Sequence, residues 1–311
     1  MESKRSRLIL EKLLKALTAQ QVNEILIEEN FTDDDWKPYG KSENNWDRAG
    51  NQQTNPISAL TELITNSIDA ILLRKAYERG IDVESEAAPQ SMQDAVRDFY
   101  HVQEGKLSHL ENRQLLEIAK KSILVGVKRA PRSKQFPTIT IVDFGEGQKP
   151  TDFPNTFLSL SENNKAAIPF VQGKFNMGST GCIRFCSRSE LSDGFFKLIA
   201  SKRYDEDEWG WTLIRALPAK ERQKRPTAEY LCPNGVIPSF HSSEISVFDG
   251  HPEGKIEQGS VVRLYEYAIG GSAHSVGFGL YQALMFNLLD CALPLQIYDF
   301  DAEKKREKRK T

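Results

Sequence analysis

Three short segments carry residue types that could do chemistry together. The first is Glu62-Leu63-Ile64-Thr65-Asn66-Ser67-Ile68-Asp69-Ala70, in which Glu62 and Asn66 are four residues apart and Asp69 follows three further on. On a helix that spacing sets two carboxylates and an amide along one stripe. Leu63, Ile64 and Ile68 form an apolar stripe beside them, so the polar row borders a core. An ordinary amphipathic helix with a solvated face would show the same pattern.

The second segment is Ile141-Val142-Asp143-Phe144-Gly145-Glu146-Gly147, a strand-like run ending in an aspartate and two glycines one residue apart. A carboxylate at a strand end can accept a hydrogen bond from an exocyclic amine, and the glycines let backbone approach a flat ligand closely or adopt positive φ. A plain tight turn is the alternative. Asp143-Phe144-Gly145 also spells the metal-binding triplet of protein kinases, but no His-Arg-Asp precedes it.

The third segment is Gly173-Lys174-Phe175-Asn176-Met177-Gly178-Ser179-Thr180-Gly181. Glycines and small hydroxyl residues before a helix suit a phosphate cradle, because exposed backbone N–H groups and the helix N-terminus favour an anion. A flexible surface loop would read the same way. A Walker A loop fails, since Gly40-Lys41-Ser42 would need its first glycine where Asp35 stands.

The elements that must position these groups follow from periodicity. Leu8, Ile9, Leu13, Leu14 and Leu17, then Val22, Ile25 and Leu26, predict a helical N-terminal arm. Phe31 to Thr54, polar with Trp36 and Trp46, reads as an ordered loop, and arm and loop together make a first region, 1–54. Asn55-Pro56 introduces a helix over Ile57 to Arg74 with Leu60, Leu63, Ile64, Ile68, Ile71 and Leu72 on one face. Ala76 to Ser133 is charged and helical in pattern, an insert of about 76–133 anchored by Leu115, Leu116, Ile118, Ile123 and Leu124. Strands are predicted over Thr138–Val142, Phe196–Ala200, Trp209–Arg215 and Ser260–Tyr265. Helices and strands come in mixed order, which predicts one α+β domain over 55–300. A charged tail or linker follows at 301–311.

Bulk composition narrows the classes. With 311 residues, 39% hydrophobic and 27% charged, the chain can bury a substantial core, and its formal charge of -2 supplies no overall pull toward nucleic acid or anionic membrane. No run of 18 or more apolar residues is present, and the first residues are charged, which predicts an intracellular, cytoplasmic protein without a membrane partner. Cys182, Cys186, Cys232 and Cys291 lack the paired spacing of a zinc site and read as reduced, buried thiols.

In order and chemistry the three segments resemble the GHKL ATPase superfamily, the Bergerat-fold group of gyrase, heat-shock chaperones, MutL-type repair proteins and sensor histidine kinases. Glu62 to Ala70 looks like its N-box, Asp143 to Gly147 like its D-x-G-x-G box and Gly173 to Gly181 like its lid box. Gly259-Ser260-Val261-Val262-Arg263-Leu264 is similar to its closing strand, where the family usually has Gly-Thr. The resemblance implies a two-layer sandwich, a mixed, mainly antiparallel sheet with helices on one face, binding ATP and Mg2+. Glu62 would be the general base and Asn66 a magnesium ligand. Asp143 would bind the adenine amine, with Gly145 and Gly147 shaping the base pocket and Ser260 holding a water. Gly178, Ser179, Thr180 and Gly181 would donate to phosphates, and the same boxes place Asp69, Ala70, Lys174, Asn176 and Met177 in the nucleotide site. Asn176 and Ser179 depart from the glycine and aromatic of many chaperone-like members.

Asn66-Ser67-Ile68-Asp69-Ala70 favours the hydrolysing branches over the histidine kinases. The resemblance further implies an ATP-dependent homodimer in which the N-terminal arm crosses to a second copy, and a downstream domain after Leu293-Pro294-Leu295-Gln296-Ile297 that supplies a lysine to the γ-phosphate. The rival expectation is a non-catalytic nucleotide sensor, or a DNA- or protein-binding module that uses the tail and Lys120 to Arg132.

Overall fold

Apolar residues on both faces of a mostly antiparallel sheet decide the architecture. The computed structural model describes residues 1–41, 55–131, 136–159, 165, 167–173, 178–187, 195–217, 227–248, 251–269 and 276–301. In chain order the helices are α1 (Ser3–Lys15), α2 (Ala19–Glu28), α3 (Pro56–Tyr77), α4 (Met92–Tyr100), α5 (Asn112–Lys120), the single turn α6 (Gly178–Gly181) and α7 (Val276–Asn287). The strands are β1 (Trp36–Pro38), β2 (Ile123–Lys128), β3 (Thr138–Asp143), β4 (Phe195–Lys202), β5 (Glu208–Leu217), β6 (Thr227–Leu231), β7 (Ser239–His241), β8 (Ile245–Ser246), β9 (Lys255–Ile256), β10 (Gly259–Leu264) and β11 (Leu295–Asp299). The fold is α+β.

The main sheet runs β1-β6-β5-β4-β10-β3-β2-β11, with β7 on the side of β5 and β8 paired with β9 apart from it. Only β2 and β11 pair in parallel among the described strands; every other ladder is antiparallel.

α3 forms where the apolar periodicity placed it. Asn55 caps it by accepting from the Ile57 N–H at 2.8 Å, and Pro56 occupies the first turn, where a missing donor costs nothing. It is the described helix long and apolar enough to cross a bilayer by composition, yet its apolar face lies in the core of this fold. Leu60, Leu63, Ile64, Ile68 and Ile71 pack on Ile139 and Ile141 of β3 and Val125 of β2. α7 adds Leu280 and Leu284 to that side and leaves Phe278, Tyr281, Met285 and Phe286 exposed.

The opposite face is covered as well, which corrects the expectation of helices on one side. Ile9, Leu10, Leu13 and Leu14 of α1 and Val22 and Leu26 of α2 pack on Leu124, Val142, Leu198 and Trp211. Strand side chains alternate between faces. Both sets of β residues are apolar, so both faces need cover. Polar ties fix the first helices to their own chain: Trp211 Nε1 donates to Ser6 Oγ at 2.9 Å, Tyr265 Oη to the Leu13 carbonyl at 2.9 Å and Arg263 Nη2 to the Ala16 carbonyl at 2.7 Å.

The predicted strands appear within a residue or two of their expected bounds. Within the predicted helical insert, 92–100 and 112–120 are helical, but Ile123–Lys128 is a strand between β3 and β11. Five apolar or glycine residues in a row are too short for periodicity to separate a buried strand from a helix turn. Residues 295–299, inside the domain expected over 55–300, form an edge strand of this same sheet. Trp36 joins β1, stacked under the Arg215 guanidinium at 4.1 Å. Trp46 and the charged tail from residue 302 lie outside the described residues.

Candidate functional site

A cavity of roughly 260 Å³ lies between α3 and the sheet, just under the usual range for small-ligand pockets. α3 contributes Leu63, Asn66, Ser67 and Ala70, the sheet contributes Asp143, Lys197, Ile199, Ser260 and Val262, and the turn after β3 adds Glu146, Gly147 and Gln148. The cross-strand register explains the sheet side. Asp143 stands opposite Ser260, and Ser260 opposite Ser201, so inward positions on β3, β10 and β4 share one face.

Asp143 ends β3 on the cavity floor, 6% exposed. Its Oδ1 accepts from the Gly145 N–H at 3.0 Å, and its Oδ2 faces the Ser67 hydroxyl at 3.3 Å. Burial pushes this carboxyl up to about 7, opposed by the Gly145 and Ser260 N–H groups, Ser67 and the nearby Lys165. Burial also raises Glu146 and Asp69, with Lys165 opposing both shifts. The acid end of the cavity is therefore rich in acceptors held in little water, which suits a ligand that donates hydrogen bonds.

The glycines do local work. Gly147 has φ +64°, and a Cβ there would lie 1.9 Å from the Lys202 carbonyl; at Gly145 it would lie 2.6 Å from the Ala70 Cβ. The close approaches are thus to Lys202 and to Ala70 of α3. They seat the turn against the helix and bring Glu146 N–H onto the Ala70 carbonyl at 2.9 Å. Gly147→Ala should cost about 2–4 kcal/mol from the clash and the left-handed φ, read as a lower midpoint in chemical denaturation. A midpoint equal to wild type would remove the turn from this role.

The structure brings Asn66, Ala70, Asp143, Gly147 and Ser260 to one cavity. Gly145 sits behind it on Ala70. Ser260 Oγ lies 3.0 Å from Ser201 Oγ. Asp69 is fully buried and turned away from the lining. Its two oxygens accept from the Gln172 and Gly173 N–H groups at 3.0 and 2.7 Å, so it anchors the start of the glycine-rich segment. Glu62 is half-buried on α3, one turn before Asn66, and does not line the cavity; one of its oxygens, Oε2, is buried.

Thr180 is buried, its Oγ1 3.1 Å from Tyr39 Oη, so this hydroxyl is engaged away from the cavity. Gly178 to Gly181 make a single helical turn, too short for a helix dipole to concentrate charge. Lys174, Asn176 and Met177 lie outside the described residues.

Sequence reasoning missed Ser67, Glu146, Lys165 and Lys197. Ser67 and Glu146 sit inside the two motifs, and Lys197 is an inward position of a strand by alternation, so those three signals were available. Lys165 reaches the acid end from a stretch with no pattern. Among the described residues no group of three His, Cys, Asp or Glu side chains could hold a metal ion alone. No family model matches the chain, and no curated protein matches it.

Proposed function

We propose that this chain binds ATP with magnesium in the α3 cavity and hydrolyses it slowly, as the nucleotide-switch module of a GHKL-type, Bergerat-fold protein. The observation that carries the reading is Asp143, a carboxylate nine-tenths buried on a cavity floor between Ser67, Gly145 and Ser260. A buried acceptor of this kind selects a flat group with an exocyclic amine, and adenine supplies one. Ala70 and Gly147 pack beside the base, and Ser260 holds a water against it.

Asn66 fits a magnesium site of the sparse type. Magnesium keeps several waters and is held by few protein oxygens plus substrate phosphates. Asn66 lines the cavity from α3, and its amide oxygen lies against the Gly173 backbone, where an added Cβ would be 2.2 Å from it. Bound there, the ion would offset phosphate charge. Glu62, one turn away on the same face, orients the attacking water and takes its proton as the water oxygen bonds to the γ-phosphorus and the bond to the bridging oxygen breaks.

ATP-dependent dimerisation belongs to this reading, but exchange of the N-terminal arm does not. Moving α1 and α2 to a second copy would strip Ile9, Leu13 and Val22, each 0% exposed, from the back of the sheet. The proposed switch therefore works through the segment that Asp69 anchors.

Calorimetric titration of Mg-ATP tests the reading. The expected result is binding that releases protons between about pH 6 and 7, because the amine prefers the ionised Asp143 and pulls its titration below about 7. Titrations in two buffers of different ionisation enthalpy read that release. A folded protein that takes up no ATP ends the proposal. The second reading, a nucleotide sensor without turnover, is favoured by the position of Glu62 outside the cavity lining; binding without phosphate release would select it.

A further inference from the structure

Lys197 is a cation on the cavity wall, 1% exposed, at an inward position of β4. It stands far from the acid end. Along β4, Ser201 is level with Ser260 and Asp143, and Lys197 lies four residues further, opposite Leu264. Four residues along a strand and two strands across amount to roughly 16 Å between backbone positions, at ~3.3 Å per residue and ~4.8 Å per strand. That is the scale of an extended nucleoside triphosphate.

The two lysines of the cavity divide its length. Lys165 counters the raised Asp69, Asp143 and Glu146 carboxyls at the acid end. Lys197 instead acts on the buried Cys182 and Cys186 thiols just after the glycine-rich segment, with a side-chain hydrogen bond to Cys182. A second, narrow gap is lined by Lys197 together with Tyr39, Thr180 and Ile183, so this side chain also borders α6. In such a water-poor wall a phosphate oxygen is a strong partner for an ammonium.

We infer that the Lys197 ammonium binds the phosphate chain of the nucleotide, so that the cavity selects nucleoside di- and triphosphates over the nucleoside. This rests on the nucleotide reading above. The phosphate cation is then supplied from within the sheet of this same domain, on a strand whose register fixes its distance from Asp143.

The test compares Mg-ATP, Mg-ADP and adenosine by calorimetry on wild type, Lys197→Met and Lys197→Gln, with thermal melts to confirm folding. Methionine keeps the length and suits the buried wall, and glutamine is the second variant should methionine fail to fold. Both substitutions are expected to weaken Mg-ATP by about 10- to 100-fold and to leave adenosine within about twofold. Loss of ATP and adenosine in equal measure, or unchanged ATP affinity, overturns the assignment of Lys197 and leaves the nucleotide reading standing. A wild type that binds adenosine and ATP equally also overturns it. A wild type that binds none of the three removes both.

Discussion

Asp143→Asn is expected to lower ATP affinity by about a hundredfold and, at the same time, to make the ligand-free protein more stable at neutral pH. Both effects come from one buried charge. The carboxylate presents only acceptors when ionised, while an amide of the same shape presents a donor on one side. Asn can keep the Gly145 N–H on its oxygen and turn its nitrogen to Ser67, whose hydroxyl also donates to the Leu63 carbonyl at 3.1 Å. Those two contacts are thereby kept, and an adenine amine bound as proposed would lose a charged acceptor in a dry site, worth about 2–3 kcal/mol.

The stability effect has a definite sign. Asp143 titrates at about 7 in the folded protein and near 4 when unfolded, so its folded-state value is raised. The protonated form is the one the fold accommodates. Its contribution is complete below about pH 4 and is lost as pH rises through about 7, by roughly 4 kcal/mol at most. Wild type should therefore lose stability between about pH 4 and 7 through this group, and Asp143→Asn should lack that slope. Melts at pH 5 and pH 8 read the difference. A variant that binds ATP as wild type does would take Asp143 out of base recognition, and parallel pH profiles would show its burial has no energetic consequence.

The parts legible in the sequence were those with a strong local signature. α3 was legible because Pro56 and six apolar residues at helical spacing agree, and β3 because Thr138 to Val142 is β-branched throughout. Asp143, Gly145 and Gly147 were legible as a turn, although Gly145 and Gly147 meet Ala70 and Lys202 where a flat ligand was expected. β2 was not, since Ile123 to Val127 has no neighbouring turn signal and takes its strand character from pairing with β3 and β11. The role of Asp69 was hidden for a different reason: its partners, the Gln172 and Gly173 amides, are about a hundred residues away and carry no side-chain signal. The N-terminal helices showed their apolar stripe plainly, but periodicity says only that a face is buried, not in which copy of the chain.

Glu62→Gln should keep Mg-ATP affinity within about threefold and reduce phosphate release by about 100- to 10,000-fold, the range expected when a positioned base is removed. The affinity is retained because Glu62 does not line the cavity, whereas Asn66 and Asp143 do. Turnover falls because glutamine keeps the shape and hydrogen bonds to water but cannot take its proton. The geometry adds a requirement. Glu62 is half-buried, with Oε2 shielded, so in the proposed reaction the attacking water would have to reach a carboxylate that is only partly open. The Asp69 anchor holds Gly173 against the Asn66 amide, one turn from Glu62. Asp69→Asn should then lower turnover more than binding, because one amide oxygen replaces the two that hold Gln172 and Gly173. Single-turnover phosphate release and equilibrium binding on both variants separate these effects. Unchanged phosphate release in Glu62→Gln would assign the proton to another group and favour the sensor without turnover, provided that wild-type release is itself no faster than release from free ATP.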